Sequence, residues 1–173
     1  VRGGTSRVVA SDDGFNACGG TSMGGGRPGG FGGRPGQNQT TGSSDDTDSS
    51  ETPLLTFAGG YVVINAGGDG IDSNGNIVMT GGTVLIYGPT DNGNGAIDFG
   101  DGNYNMTISG GTLLAVGSSG MAETATNNGQ ALLAFSSRSS FDAETVISIV
   151  APDGTVIFTV QPPKTFASVV FSS

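Results

Sequence analysis

The chain has 173 residues, enough for one domain with a real core, and carries 33 Gly without the every-third-residue period of collagen. Fifteen acidic residues against six basic ones give a net charge of −9. That balance argues against nucleic acid and anionic membranes as partners, because both need Lys/Arg patches, and suits metal cations, which want clustered oxygens. There is no His, which removes the commonest general base, the commonest transition-metal ligand and a Ser-His-Asp triad. With no Trp, any platform for a sugar ring falls to Tyr or Phe. The single Cys18 cannot form an intrachain disulfide and reads as a small residue without a reactive role. No run approaches ~20 apolar residues, so no membrane insertion is expected.

In chain order, the first element is Gly3-Gly4 followed by Thr5 to Ala10, and the same word recurs three times. Gly59-Gly60 precedes Tyr61 to Ala66, Gly81-Gly82 precedes Thr83 to Gly88, and Gly110-Gly111 precedes Thr112 to Gly117. The last three copies follow short strand-like runs, Leu55 to Ala58, Ile77 to Thr80 and Met106 to Ser109. A second word follows each copy: Asp13-Gly14-Phe15-Asn16-Ala17, then Asp69-Gly70-Ile71-Asp72-Ser73, then Asn94-Gly95-Ala96-Ile97-Asp98, then the degenerate Ser119-Gly120-Met121-Ala122. The last three Gly-Gly pairs lie 22 and 29 residues apart. That spacing suits one coil of a parallel β-helix, with short strands separated by Gly corners where φ turns positive. It is too short for propeller blades, and a sandwich has no reason for the Gly-Gly register. The crossover rule makes the helix right-handed. Alternation points Val62, Ile64 and Ala66 one way, with Val84 and Ile86, and Leu113 and Ala115, stacking on them as an aliphatic ladder.

Residues 18–53 interrupt the repeat with a Gly/Arg/Pro-rich half and a Ser/Asp-rich half, a composition that cannot bury a core and reads as a long loop insertion. The repeats thus occupy 1–123. From 124 to 173 the pattern changes to four strand-like runs, Ala131 to Phe135, Thr145 to Val150, Thr155 to Val160 and Phe166 to Phe171. Ala151-Pro152-Asp153-Gly154 joins the middle two as a hairpin turn. These residues are expected to form an antiparallel β cap over the last coil, since open ends expose unpaired backbone. The column Val63, Leu85, Leu114 is apolar yet points outward, to be covered by these strands or by a partner.

Stacked coils lie ~4.8 Å apart, so like charges at equivalent corners repel unless something neutralises them. The corners supply Asp12, Asp13 and Asn16, then Asp69, Asp72 and Asn74, then Asn94, Asp98 and Asp101. Two readings stand side by side: Asp and Asn simply favour turns, or they are ligands of Ca2+, which takes six to eight oxygens. Tyr61, Tyr87 and Tyr104 are the candidates for sugar contacts, although Tyr is also an ordinary strand former.

The ordered words Asp69-Gly70-Ile71-Asp72-Ser73-Asn74-Gly75, Thr80-Gly81-Gly82-Thr83-Val84, Gly88-Pro89-Thr90, Gly93-Asn94-Gly95-Ala96-Ile97-Asp98 and Ala115 to Ala122 resemble the carbohydrate-binding parallel β-helix family of cellulose-degrading anaerobic bacteria and their relatives. The resemblance implies a secreted or cell-surface protein that binds calcium on the β-helix and binds cellulose or acidic plant polysaccharides such as pectin. It also implies that the acidic corners are the calcium ligands. Asn94, standing at a corner where an acid is expected, departs from that pattern. The leading expectation is therefore a calcium-dependent polysaccharide-binding protein without catalysis. A second reading is a structural or adhesive protein whose copies stack head to tail into filaments, prompted by Val1 entering in mid-repeat, where further coils or another copy would have to adjoin it. A third is a polysaccharide lyase, an architectural analogy only. A lyase needs a base in its groove, and Arg7 is the one Lys or Arg in a recognisable repeat.

Overall fold

The computed structural model describes residues 1–17 and 52–173. The expected insertion 18–53, and Cys18 with it, lies outside the described residues except at Thr52 and Pro53. Among the described residues the protein is all-β, with no helix and with mixed parallel and antiparallel sheets.

The strands are β1 (Arg2–Ala10), β2 (Phe15–Ala17), β3 (Leu54–Ala66), β4 (Ile71–Ser73), β5 (Asn76–Tyr87), β6 (Ile97–Phe99), β7 (Met106–Ile108), β8 (Thr112–Gly117), β9 (Asn127–Asn128), β10 (Leu132–Phe141), β11 (Ile147–Val150), β12 (Val156–Val160) and β13 (Phe166–Ser172). The repeat words stack in parallel and in register. Val8 pairs Ile64, which pairs Ile86, which pairs Ala115. The second word forms its own parallel ladder, β2-β4-β6, in which Phe15, Ile71 and Ile97 align. A third set of pairings joins the first halves of β3 and β5, then β5 to β7, then β7 to β9.

Inward alternation sets the core. Val62, Ile64, Ala66, Val84, Ile86, Leu113 and Ala115 are buried in one cluster with Ile71, Ile97, Phe57, Met79, Met106 and Ile108. The stacked aliphatic columns come from all the ladders, so each repeat gives the next a preformed apolar surface. Full burial of one such side chain contributes ~1.5–3 kcal/mol.

Three of the four Gly-Gly pairs act differently from the expected corners. The first three lie inside the continuous strands β1, β3 and β5, where the pairing register shifts, so each strand continues through them; the fourth, Gly110-Gly111, falls between the end of β7 and the start of β8, as a corner would. The second glycine of each pair, at positions 4, 60, 82 and 111, has φ between 78° and 92°. A bulge of this kind takes up the extra residue while the ladder continues on both sides.

The C-terminal strands continue the main sheet with reversed direction. β13 pairs antiparallel with β8, and β10 pairs antiparallel with β13. The hairpin β11-β12 turns at Ala151–Thr155, where Gly154 has φ 88° and the Asp153 carboxylate accepts the Thr155 N–H at 2.9 Å. Leu85, Leu114, Val116, Phe166, Val169 and Phe171 form a second core, packed by Val63 and by Ile147, Ile149, Phe158 and Val160 of the hairpin. The outward apolar column is thus covered by its own chain. β10 runs to Phe141, past the expected end at Phe135, because Phe141 regains pairing with Phe166 and its ring stacks on Phe166 at 5.3 Å. Its Ser-rich second half has no hydrophobic alternation from which to read a strand. No helix among the described residues is long and apolar enough to cross a membrane.

Candidate functional site: an outward groove and an acidic edge

The outward face of the main sheet is a grid fixed by register. Thr5, Arg7 and Val9 of β1 lie beside Tyr61, Val63 and Asn65 of β3, which lie beside Thr83, Leu85 and Tyr87 of β5. The hairpin covers Leu85 and the β8 end of this grid. At the other end a groove of about 260 Å³ stays open, with Val63, Leu85 and Val8 as its apolar walls. Arg7, Tyr61, Asn65 and Tyr87 supply its polar groups, and Pro163 closes one side. Tyr61 is 44% exposed, whereas Tyr87 is half-buried against the second core. Burial pushes the Tyr87 phenol up, the neighbouring Tyr61 pushes it the same way, and the Arg7 guanidinium pulls it down. Both groups are therefore within electrostatic reach of the Tyr87 hydroxyl. Next to Pro163, Lys164 is held by the Ala66 carbonyl at 2.5 Å, and burial lowers its pKa.

Of the three tyrosines singled out by sequence, Tyr61 and Tyr87 meet in this groove. Tyr104 does not line it; its ring lies against Gly100, where a side chain would meet Tyr104 Cδ2 at 2.5 Å. Arg7 and Asn65 become groove residues only through stacking, and Pro163 arrives from the far end of the chain. Arg7 stands in a column whose next three members, Val63, Leu85 and Leu114, are apolar, and that contrast is the one signal of it in the sequence.

The acidic corner residues fall into two groups. Asp13 and Asp69 serve the backbone: Asp13 Oδ1 accepts the Asp69 N–H at 2.9 Å, and Asp69 Oδ1 accepts the Gly95 N–H at 2.7 Å. Each carboxylate thus caps a donor one repeat onward, a role available to a turn former without any metal. Burial raises the Asp69 pKa despite the Gly95 N–H, with Asp98, Asp13 and Asp12 adding to the rise. Asn16, Asp72 and Asp98 form a true column across β2, β4 and β6. The Asn16 amide donates to Asp13 Oδ2 at 2.9 Å and to Asp72 Oδ2 at 2.6 Å, so it bridges two carboxylates. Burial, then Asp98, Asp13 and Asp69, push Asp72 from 3.8 up to about 6. Burial, then Asp101 and Asp13, raise Asp98.

The remaining candidates are scattered. Asp12, Asn74 and Asp101 are exposed, and Asn94 is present through its carbonyl, which accepts the Ser118 hydroxyl at 2.8 Å. Glu123, which no repeat word marks, extends the acidic edge. Its Oε2 accepts the Phe99 N–H at 3.1 Å, and burial raises its pKa. Among the described residues no three acidic, His or Cys side chains converge as a group able to hold a metal ion.

A second, apolar groove of about 360 Å³ lies between β10 and β11, walled by Leu133, Phe135, Phe141, Val146 and Ile149. No protein-family model, curated protein or solved structure matches the chain.

Proposed function

We propose that the chain is a right-handed parallel β-helix that binds polysaccharide on the part of its outward sheet that the hairpin leaves uncovered, through Tyr61, Tyr87 and the groove between them, without catalysing a reaction on it. The observation that carries this reading is the meeting of those two tyrosines with Asn65 over an apolar floor of Val63, bordered by the buried Leu85. A sugar ring has an apolar C–H face and a rim of hydroxyls. The floor and the phenol rings suit the face, and Asn65 and the two phenolic hydroxyls suit the rim. The groove is smaller than the ~300–1,000 Å³ of sites for drug-sized ligands, which fits one ring at a time of a chain lying along the surface. Three parallel ladders recurring in one chain order support the winding, and the crossover rule gives its hand.

Binding without chemistry follows from the lining. Among the described residues that line it the charged one is Arg7, and a guanidinium orients an anion far more readily than it abstracts a proton. Secretion or display at the cell surface is part of the same reading, since such polysaccharides lie outside the cell.

Calcium belongs to the proposal as a stabiliser of the acidic edge. The hard oxygens of that edge suit Ca2+, and its charge would act at Asp72 and Asp98, which stack across β4 and β6 with carboxylates not engaged by backbone N–H groups as those of Asp13 and Asp69 are; among the described residues no three acidic side chains converge as a ready-made site. When bound, the ion would neutralise charge there; sugar recognition does not require it.

Binding to a panel of soluble cellulosic, neutral and acidic polysaccharides by affinity electrophoresis tests the central claim. Tyr61→Ala combined with Tyr87→Ala is expected to weaken retention by about fivefold to a hundredfold, since stacking and aromatic contacts of this size are worth ~0.5–1.5 kcal/mol each. Tyr104→Phe is expected to leave it unchanged. Full retention by the double variant sinks the assignment of the site.

A further inference from the structure

We infer that Asn92 is a self-modifying site, at which the folded chain converts its own asparagine to aspartate and isoaspartate, while the fold protects the other three Asn-Gly pairs. The inference is independent of the polysaccharide-binding reading.

The Asn-Gly pairs of the chain are Asn74-Gly75, Asn92-Gly93, Asn94-Gly95 and Asn128-Gly129. Glycine matters at the second place because it has no side chain to shield its backbone nitrogen and lets the peptide swing widely. At Asn92 the Gly93 nitrogen attacks Cγ, and the new N–Cγ bond closes a cyclic succinimide. The Cγ–Nδ2 bond breaks, and the proton lost from the Gly93 nitrogen leaves with Nδ2 as ammonia. Water then opens the ring at one of its two carbonyls. Opening at Cγ gives aspartate, and opening at the main-chain carbonyl gives isoaspartate, with the backbone rerouted through Cβ. Water is the sole co-reactant.

Ring closure needs a glycine N–H that can be released and a peptide free to rotate, and three of the pairs lack both. Gly75 is buried, with its N–H donated to Ser73 Oγ at 3.3 Å and its carbonyl accepting the Gly100 N–H at 3.1 Å. Gly95 is buried as well. Its N–H is held by Asp69 Oδ1 at 2.7 Å, its carbonyl accepts the Gly70 N–H at 3.1 Å, and the Asn94 carbonyl accepts the Ser118 hydroxyl at 2.8 Å. The Gly129 N–H donates to the Ile108 carbonyl at 2.6 Å and so continues the β7-β9 ladder. Such peptides are released only when the ladder around them opens.

Asn92-Gly93 has neither restraint. Asp91, Asn92 and Gly93 are all exposed and form a turn between β5 and β6. The Gly93 N–H donates to Asp91 Oδ1 at 2.9 Å, an exposed side chain that water can replace. A methyl added at Gly93 would meet that same oxygen at 3.1 Å and, apart from the adjoining residues, nothing else within 4 Å, so the peptide has room to turn. The product adds a further negative charge to a chain already at −9.

The test ages the full chain in warm, mildly alkaline buffer, with and without denaturing urea, and follows each Asn-Gly pair by peptide mapping in acid with mass spectrometry. Exchange of the amide NH for O marks the reaction, and an isoaspartate methyltransferase assay counts the rerouted product. In the native protein Asn92 is expected to react about tenfold or more faster than each of the other three, because they wait on local opening. In urea the four rates are expected to converge to within about threefold, because the unfolded chain retains little to distinguish them. Asn92→Ser is expected to abolish the early acidic species on ion exchange, with melting unchanged at this exposed position. Equal native rates at the four pairs overturn the inference, and so does Asn74, Asn94 or Asn128 reacting first. A lead for Asn92 that persists undiminished in urea also overturns it, since the selection would then come from local sequence and not from the fold.

Discussion

Gly82→Ala is expected to destabilise the protein by roughly 2–5 kcal/mol, about twice as much as Gly154→Ala, although both glycines have nearly the same φ. Gly82 has φ 89° and Gly154 φ 88°. An L-residue held in that region costs ~1–2 kcal/mol, and both variants carry that term. They differ in what the new methyl meets. At Gly154, in the hairpin turn, nothing lies within 4 Å. At Gly82 the methyl would stand 2.7 Å from both the carbonyl carbon of Gly59 and the oxygen of Gly60, in the Gly-Gly bulge of the preceding repeat. Those are backbone atoms and cannot rotate aside, so the strands must part, which adds ~1–3 kcal/mol of overpacking. Equilibrium urea denaturation of the two variants measures the difference. Equal losses would mean that the bulges are not stacked as closely as the register requires.

The second large effect is a dependence on pH and calcium centred on Asp72. Its carboxyl is raised from 3.8 to about 6, first by burial and then by the neighbouring carboxylates Asp98, Asp13 and Asp69. A carboxyl that holds its proton more tightly in the fold than in the unfolded chain stabilises the fold fully below the unfolded pKa, and that contribution disappears as pH rises through the folded pKa. In chelator, stability from this group is therefore expected to fall between about pH 4 and pH 6 and to level off above. A tenfold change in proton affinity is ~1.4 kcal/mol, and solvent screening at this partly exposed site leaves roughly 1–2 kcal/mol in total. Asp69, Asp98 and Glu123 shift in the same direction and steepen the fall. Asp72→Asn removes its share, so the variant melts higher than the wild type at pH 7 and about equally at pH 4. Calcium acts where the charges are: at a hundredfold excess over its dissociation constant it is expected to add ~2.7 kcal/mol at pH 7, and less at pH 5, where protons occupy the carboxyls. Identical melting at pH 7 with calcium and with chelator removes calcium from the account. Stability of the wild type in chelator rising relative to Asp72→Asn between pH 4 and pH 7 contradicts the repulsive column itself.

What could be read from the sequence follows from what repeats in it. The inward columns were legible because stacked repeats put the same side-chain type at the same register: Val62, Val84 and Leu113 share one column, and Ile64, Ile86 and Ala115 share the next. The cover over Leu85 and Leu114 was legible as an outward apolar column that needed a partner, and the Pro-Asp-Gly turn supplied the hairpin. Three of the four Gly-Gly pairs are bulges inside strands and the fourth separates β7 from β8; positive φ serves a bulge as well as a turn, and only pairing on both sides tells them apart. The acidic words looked uniform in the sequence, yet Asp13 and Asp69 cap backbone donors whereas Asp72 faces other carboxylates. That distinction depends on which oxygen meets which N–H one repeat away. In the groove, the outward parity of Tyr61 and Tyr87 was visible. Their convergence with Arg7 and Pro163 was not, because it joins β1, β3, β5 and the tail across the stack.

The most direct test of the proposed polysaccharide-binding groove is to follow backbone amide signals by NMR while an oligosaccharide of the polysaccharide that retains the protein is titrated into it. The account predicts shifts concentrated at Arg7, Tyr61, Val63, Asn65, Leu85 and Tyr87, saturating together with a single affinity. Saturable shifts confined to the apolar groove of Leu133, Phe135 and Phe141, or no shifts on the outward sheet at concentrations where the polysaccharide is retained, would contradict it.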